Sequence, residues 1–264
     1  MTTHTTFKTI VVLAIAMIIA GIFSLYAPNT SASLSTAVPT YNAVKMQPVQ
    51  AKHKLPLETA TVSKTVTLRY TTLPKPKVNG LESHKNLIEL VAKYTGVQSS
   101  LLASTAGIES RYISHAKNKG GSSAQGLCQF TKSTWHATAK KYGKQYGITP
   151  GTSRLDPRAN LLLCAEHIKE NDVYLTKVLK RPAKPSEIYM AHFLGSGGAV
   201  ALLKAKPGSR ADHATPSAAR NNPRMFYGKK GNAYTVADFK RTIKIKVQRE
   251  QSNFAALVNM TPSA

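Results

Sequence analysis

The chain has 264 residues, 42% of them hydrophobic, which suffices for one globular domain with appendages and excludes a wholly disordered protein. Thirty-six Lys and Arg against twelve Asp and Glu leave a formal charge of +24 at pH 7, and no acidic residue precedes Glu58, so an anionic partner is implied. Two cysteines, Cys128 and Cys164, exclude a disulfide-dense miniprotein and a four-cysteine zinc site.

Residues 9–27 carry no charge, and Lys8 is the only Lys or Arg before them. Residues 1–27 therefore read as a signal peptide or a short signal anchor, with the N-terminus inside and the remainder carried across a membrane. Small residues at Thr30-Ser31-Ala32-Ser33 leave both cleavage and retention open. Residues 28–80 hold six prolines and many Ser, Thr and Lys without a sustained helical period, the composition of a disordered tether. Within it, residues 62–70 alternate like a strand but have no partner strand in view.

From residue 81 the pattern turns helical. Leu87, Leu90, Val91 and Tyr94 share one face of a helix that Ser83 would cap and Gly96 would end. A second helix is expected from 99 or 100 to about 109, and a third near 131–142 after the Gly120-Gly121-Ser122-Ser123 loop. Asp156 followed by Pro157 is an N-cap with proline at the first helical position, opening a long helix through Leu161, Ala165, Ile168 and Leu175. Pro182 and Pro185 precede a helix through residues 188–194, punctuated by Gly195, Gly197 and Gly198. Thr235 with Asp238 resembles a capping box for a last helix through Phe239, Ile243 and Val247. The predicted class is mainly α, with a domain at 81–250 and a tail at 251–264.

Between Glu109 and Asp156 there is no carboxylate, while that interval holds eight Lys and Arg. Glu109 follows the small, mostly apolar run Ala103-Ser104-Thr105-Ala106-Gly107-Ile108, where burial would raise its pKa, as a general acid at neutral pH requires. Position alone favours an ordinary exposed helix-end glutamate.

Three segments in order change the weighting: Ile108-Glu109-Ser110, Gly126-Leu127-Cys128-Gln129-Phe130 and Tyr189-Met190-Ala191-His192-Phe193-Leu194-Gly195. With Asp156-Pro157-Arg158, Ala165-Glu166-His167-Ile168-Lys169-Glu170-Asn171 and Asn222-Pro223-Arg224-Met225-Phe226-Tyr227, they resemble the lytic transglycosylases of the lysozyme superfamily. The pattern is most like the catalytic domain of endolysins from giant bacteriophages of Gram-negative hosts, and spans roughly residues 83–247. The resemblance implies a lysozyme-like, soluble-lytic-transglycosylase-like helical domain acting on the bond between N-acetylmuramic acid and N-acetylglucosamine. Glu109 would be acid and then base, the substrate's acetamido group would stabilise the cationic centre, and its 6-hydroxyl would attack to give a 1,6-anhydro end.

Ser110 and Gln129 would bond the sugar or Glu109, and Gly126 would let backbone approach the glycan. Tyr189 and His192, three apart on a helix, would bind the peptide stem or acetamido group and orient Glu109. Phe130, Trp135 and Phe193 read as core. No cofactor or metal is implied. The expected partners are peptidoglycan glycan strands, an anionic envelope surface and a membrane contacted through residues 9–27. Specific nucleic-acid binding is excluded for lack of any helix-turn-helix, zinc or aromatic strand motif.

The implied location is across the bacterial inner membrane, anchored or periplasmic, and the implied task is host lysis. The alternatives are a hydrolytic muramidase, with Asp156 or a later acid positioning water, and a wall-remodelling or wall-binding protein associated with a virion or secretion machine. Two departures from the family pattern stand out: a hydrophobic segment and tether replace a wall-binding module, and Cys128 replaces a large apolar residue. In the resembling enzymes the Gly126–Phe130 loop packs on the long helix that here carries Cys164, which implies a disulfide between Cys128 and Cys164 after export, with buried thiols as the alternative.

Overall fold

Caps and apolar stripes set most of the helices and their ends. A computed structural model describes residues 68–260, so the expected signal or anchor segment at 1–27 and the tether as far as residue 67 lie outside the described residues. Helix α1 (Leu81–Thr95) buries Leu87, Ile88 and Val91 and ends at Gly96, whose left-handed backbone (φ 76°) sends its N–H to the Ala92 carbonyl. Ser83 is not its cap. The helix begins two residues earlier, because Gly80 N–H is tied to the Tyr112 carbonyl and the Asn79 side chain to Ser114 N–H, which fixes the chain just before Leu81.

Helix α2 (Ser99–Ser110) is buried almost all round, through Leu101, Leu102, Ala103, Ala106 and Gly107, as befits a central helix. Thr131 caps α3 (Lys132–Tyr142) by accepting the Thr134 N–H at 3.2 Å. Asp156 caps α4 (Pro157–Leu179), accepting the Arg158 N–H at 2.9 Å, with Pro157 in the first helical position. Helices α5 (Pro185–Leu194) and α6 (Ser196–Lys204) are separated only by Gly195 (φ 74°), so the glycines mark a corner between two helices rather than the end of helical structure. Three short helices follow, α7 (Ala211–Ala214), α8 (Pro216–Asn221) and α9 (Pro223–Phe226), two of them opening on proline.

Thr235 accepts the Asp238 N–H at 3.1 Å and donates to its carboxylate at 2.7 Å, starting α10 (Val236–Met260). This helix runs ten residues past the boundary expected at 250 because Phe254 is still buried against the body of the domain. At the other end, Leu73 is 5% exposed and Arg158 reaches the Thr71 carbonyl at 3.1 Å, so the domain begins before residue 81. Leu68 to Tyr70 form no strand, and residues 62–67 of that alternating stretch lie outside the described residues. No described helix is long and apolar enough to cross a membrane.

Two buried clusters organise the packing. One joins α1, α2, the 124–130 loop, α3 and the first half of α4, including Phe130 and Trp135; the other joins α5 to α10 with Leu175. Phe193 is half-buried, stacked between Tyr189 and Phe239, and not in the deep core expected of it. Helix α2 brings Glu109 to where the first cluster meets α5 of the second.

Candidate active site

The last turn of α2 presents Glu109 to α5. Tyr189 Oη donates to Glu109 Oε1 at 2.8 Å, and His192 Nε2 lies 3.7 Å from the same oxygen, close but outside hydrogen-bond range. Tyr189 and His192 are three residues apart and stack at 6.1 Å, so one helical face delivers both to the carboxyl. The Glu109 side chain is 16% exposed. Burial pushes its carboxyl up to about 7, against the downward pull of the Tyr189 hydrogen bond. Burial, and then the neighbouring Glu109, hold the Tyr189 phenol well above its usual range, so it remains a donor.

His192 is a different kind of group. Its Nε2 is 3.1 Å from the Cys128 carbonyl, which can only accept, so Nε2 carries the proton and Nδ1 is left buried without a partner. Burial lowers its pKa to about 4, outweighing the opposing effect of the Cys128 carbonyl, and the ring is neutral at pH 7. The side chain is only 8% exposed. It wedges between the 126–130 loop and Glu109.

That loop is held from three sides. Cys128 and Cys164 form a disulfide with Cα atoms 6.3 Å apart, both residues fully buried. Asn160 on α4 accepts the Cys128 N–H at 2.9 Å and donates to the Arg154 carbonyl at 2.8 Å. Gly126 (φ 81°) sits where a Cβ would come within 2.3 Å of both the Arg154 carbonyl and the Asn160 amide. Its lack of a side chain therefore lets the loop pack closely on α4.

Ser110 is engaged within its own helix. Its hydroxyl donates to the Ala106 carbonyl at 3.0 Å and is buried, because a serine at the end of a helix readily bonds back one turn. Gln129, in left-handed backbone (φ 47°), donates from Nε2 to the Gly126 carbonyl at 2.9 Å and the Ala116 carbonyl at 3.3 Å, so its nitrogen holds the loop rather than Glu109. Asp156, the candidate for positioning water, is occupied by its capping bond and by Arg158 at 2.7 Å. Among the described residues Glu109 is met by a phenol and an imidazole, and no second carboxylate is among its contacts.

Two residues of the site escape sequence reasoning. Asn160 lies in an apolar run, where the only signal is a polar amide flanked by Ala159 and Leu161. His167, within the 165–171 motif, stands three residues after Cys164 on the same face of α4 and meets His192 edge to face at 5.7 Å. Burial, and then the nearby His192, lower its pKa to about 4. Among the described residues no group of three or more His, Cys, Asp or Glu side chains is arranged to hold a metal. An open hollow of about 620 Å³, lined by Asp212, His213, Arg220 and Tyr227 among others, includes none of Glu109, Tyr189 and His192.

Comparison with known proteins adds two findings. Residues 86–188 match the family model described as "Transglycosylase SLT domain". The matched stretch starts inside α1, contains Glu109 and both cysteines, and ends one residue before Tyr189. A solved structure of an inactive mutant of the lytic transglycosylase Slt from Pseudomonas aeruginosa is similar over 67% of this chain and 24% of its own, at 18% identity and a TM-score of 0.45. The present chain thus spans less than two thirds of that protein's length.

Proposed function

We infer that this chain, whose residues 86–188 match a transglycosylase SLT domain, is a peptidoglycan lytic transglycosylase with Glu109 as its single acid and base. The observation that carries the reading is the Glu109 carboxyl, partly enclosed, raised to about 7 and bonded by Tyr189 at 2.8 Å. A group titrating near neutral pH can serve in both directions. Protonated Glu109 gives its proton to the glycosidic oxygen as the C1–O bond breaks, and N-acetylglucosamine leaves with a free 4-hydroxyl. The acetamido oxygen of N-acetylmuramic acid shields the cationic C1. The Glu109 carboxylate, stabilised by Tyr189, then takes the proton of the 6-hydroxyl while O6 bonds to C1. The carboxyl is restored and no water is consumed.

A two-carboxylate retaining hydrolysis would need a nucleophile about 5 Å from Glu109; the influences on the Glu109 carboxyl are its burial and the Tyr189 hydroxyl, which supports the single-carboxyl route. The oxygen of Gln129, which accepts no hydrogen bond among the described residues, is available to a sugar amide or hydroxyl at the loop edge. Export across the bacterial inner membrane through residues 1–27, and host lysis as an endolysin, extend the reading; the uncharged 9–27 segment and the motif pattern support them.

Two measurements test the assignment. Glu109→Gln should reduce release of soluble fragments from purified peptidoglycan by about 10²–10⁴-fold, the usual contribution of general acid–base catalysis. Mass spectrometry of the fragments released by the unsubstituted protein should find 1,6-anhydro ends; reducing ends in their place would make the enzyme a muramidase.

A further inference from the structure

The chain immediately after Glu109 is bent against its preference. Arg111 and Tyr112 both adopt left-handed backbone, φ 52° and 59°, a conformation that residues bearing a Cβ take only when their surroundings impose it. What imposes it is visible behind α2. The Tyr112 ring is buried and folds back over Gly107, where its hydroxyl meets Glu250 from α10, donating to Oε2 at the long distance of 3.5 Å. A Cβ on Gly107 would lie 2.7 Å from both the Tyr112 hydroxyl and Glu250 Oε2, so only glycine admits the pair. Glu250 is 8% exposed, and Arg249 engages its other oxygen at 2.9 Å, so the buried carboxylate is charge-paired. The Tyr112 carbonyl is fixed as well, by the Gly80 N–H at 3.2 Å.

Positions 107 and 109 are about 200° apart around a helix, so Tyr112 and Glu250 grip the opposite side of the turn that presents Glu109. The partners of Glu109 itself are Tyr189 and His192, which leaves the backbone of α2 as the route by which the pair acts.

We propose that Tyr112 and Glu250 are positioning residues, whose contact over Gly107 holds the last turn of α2 so that the Glu109 carboxyl stays enclosed and within reach of Tyr189. The proposal rests on the reading of Glu109 as acid and base. Without the contact the strained turn relaxes, Glu109 gains water, and its pKa falls toward that of a free carboxyl.

The test uses the full chain and two readouts. Tyr112→Phe keeps the ring and removes the hydroxyl; it should lower kcat about tenfold with KM within about twofold. The Glu109 carboxyl, followed by carbon-13 NMR and identified by its loss in Glu109→Gln, should titrate at lower pH in Tyr112→Phe than in the unsubstituted chain. Glu250→Gln retains an acceptor and should lose less than Glu250→Leu, and Glu250→Leu combined with Tyr112→Phe should lose no more than the larger single change. A folded Tyr112→Phe with unaltered kcat and unaltered Glu109 titration would overturn the proposal, as would a change confined to KM. Should the unsubstituted chain release no glycan fragments, the reading of Glu109 falls while the titration still decides whether the pair sets its environment.

Discussion

Three largely enclosed titratable groups stand side by side, Glu109 next to His192 and His192 next to His167, and their shifts oppose each other. Glu109 holds its proton to about pH 7 in the fold against 4.5 ordinarily, whereas His192 and His167 lose theirs near 4 instead of 6.5. The raised carboxyl makes the folded chain bind more protons than the unfolded one between 4.5 and 7, so its contribution to stability falls as pH rises through that window. The depressed imidazoles do the reverse: their contribution is full above 6.5 and is lost as pH falls toward 4. Between 6.5 and 4.5 two histidines outweigh one glutamate by one proton, so stability should drop by about 3 kcal/mol over that interval. Glu109→Gln should roughly double that slope and raise the denaturation midpoint at pH 8, and urea melts at a series of pH values measure both. Activity should move differently, declining as pH rises through about 7 because the acid must start protonated; a rate still climbing at pH 9 would remove Glu109 from that role.

At the scale of elements, the site is a contact among α2, α5 and a loop that α4 holds. The Cys128 carbonyl that receives the His192 proton belongs to the residue whose sulfur is bonded to α4. Reduction therefore has two expected effects. Releasing a crosslink between residues 36 apart should cost about 3 kcal/mol, seen as a lower midpoint in a thermal melt. It should also loosen the wedge against Glu109 and lower kcat, and Cys164→Ala should reproduce both, since it breaks the bond but spares the 128 backbone. Equal kcat for the oxidised and reduced protein at a temperature where both are folded would show that Asn160 and Gly126 suffice to hold the loop. Sequence boundaries erred at this scale for one reason at both ends. Leu73 and Phe254 lie outside the periodic stretch yet are buried, and burying one such side chain is worth about 2 kcal/mol, enough to extend a domain beyond its obvious signals.

At the scale of the whole chain the formal charge is +24, and among the described residues Lys140, Lys141 and Lys144 after Trp135 and Arg241, Lys244 and Arg249 along α10 are exposed. On the proposed reading such a surface should draw the protein toward wall carboxylates and lipid phosphates, with the attraction screened over about 8 Å at physiological salt. The rate on whole envelopes should fall as sodium chloride is raised, while cleavage of short glycan fragments, which carry few charges, changes little. A parallel decline on both substrates would point to the fold and not to attraction at a distance.

What the sequence determined by itself is whatever depends on a few neighbouring residues. Thr131, Asp156 and Thr235 cap helices because each satisfies an amide within two or three residues, and Gly96 ends one because glycine takes the left-handed turn without steric cost. The isolation of Glu109 among cations was equally legible, since it is a property of order along the chain. Tertiary structure decided the rest. The raised pKa of Glu109 comes from burial by several elements, against the downward pull of a phenol eighty residues away, and no spacing encodes either. In the fold the Ser110 hydroxyl and the Gln129 nitrogen bond nearby carbonyls and Gly126 packs against α4, because buried polar groups are satisfied by whatever packs around them.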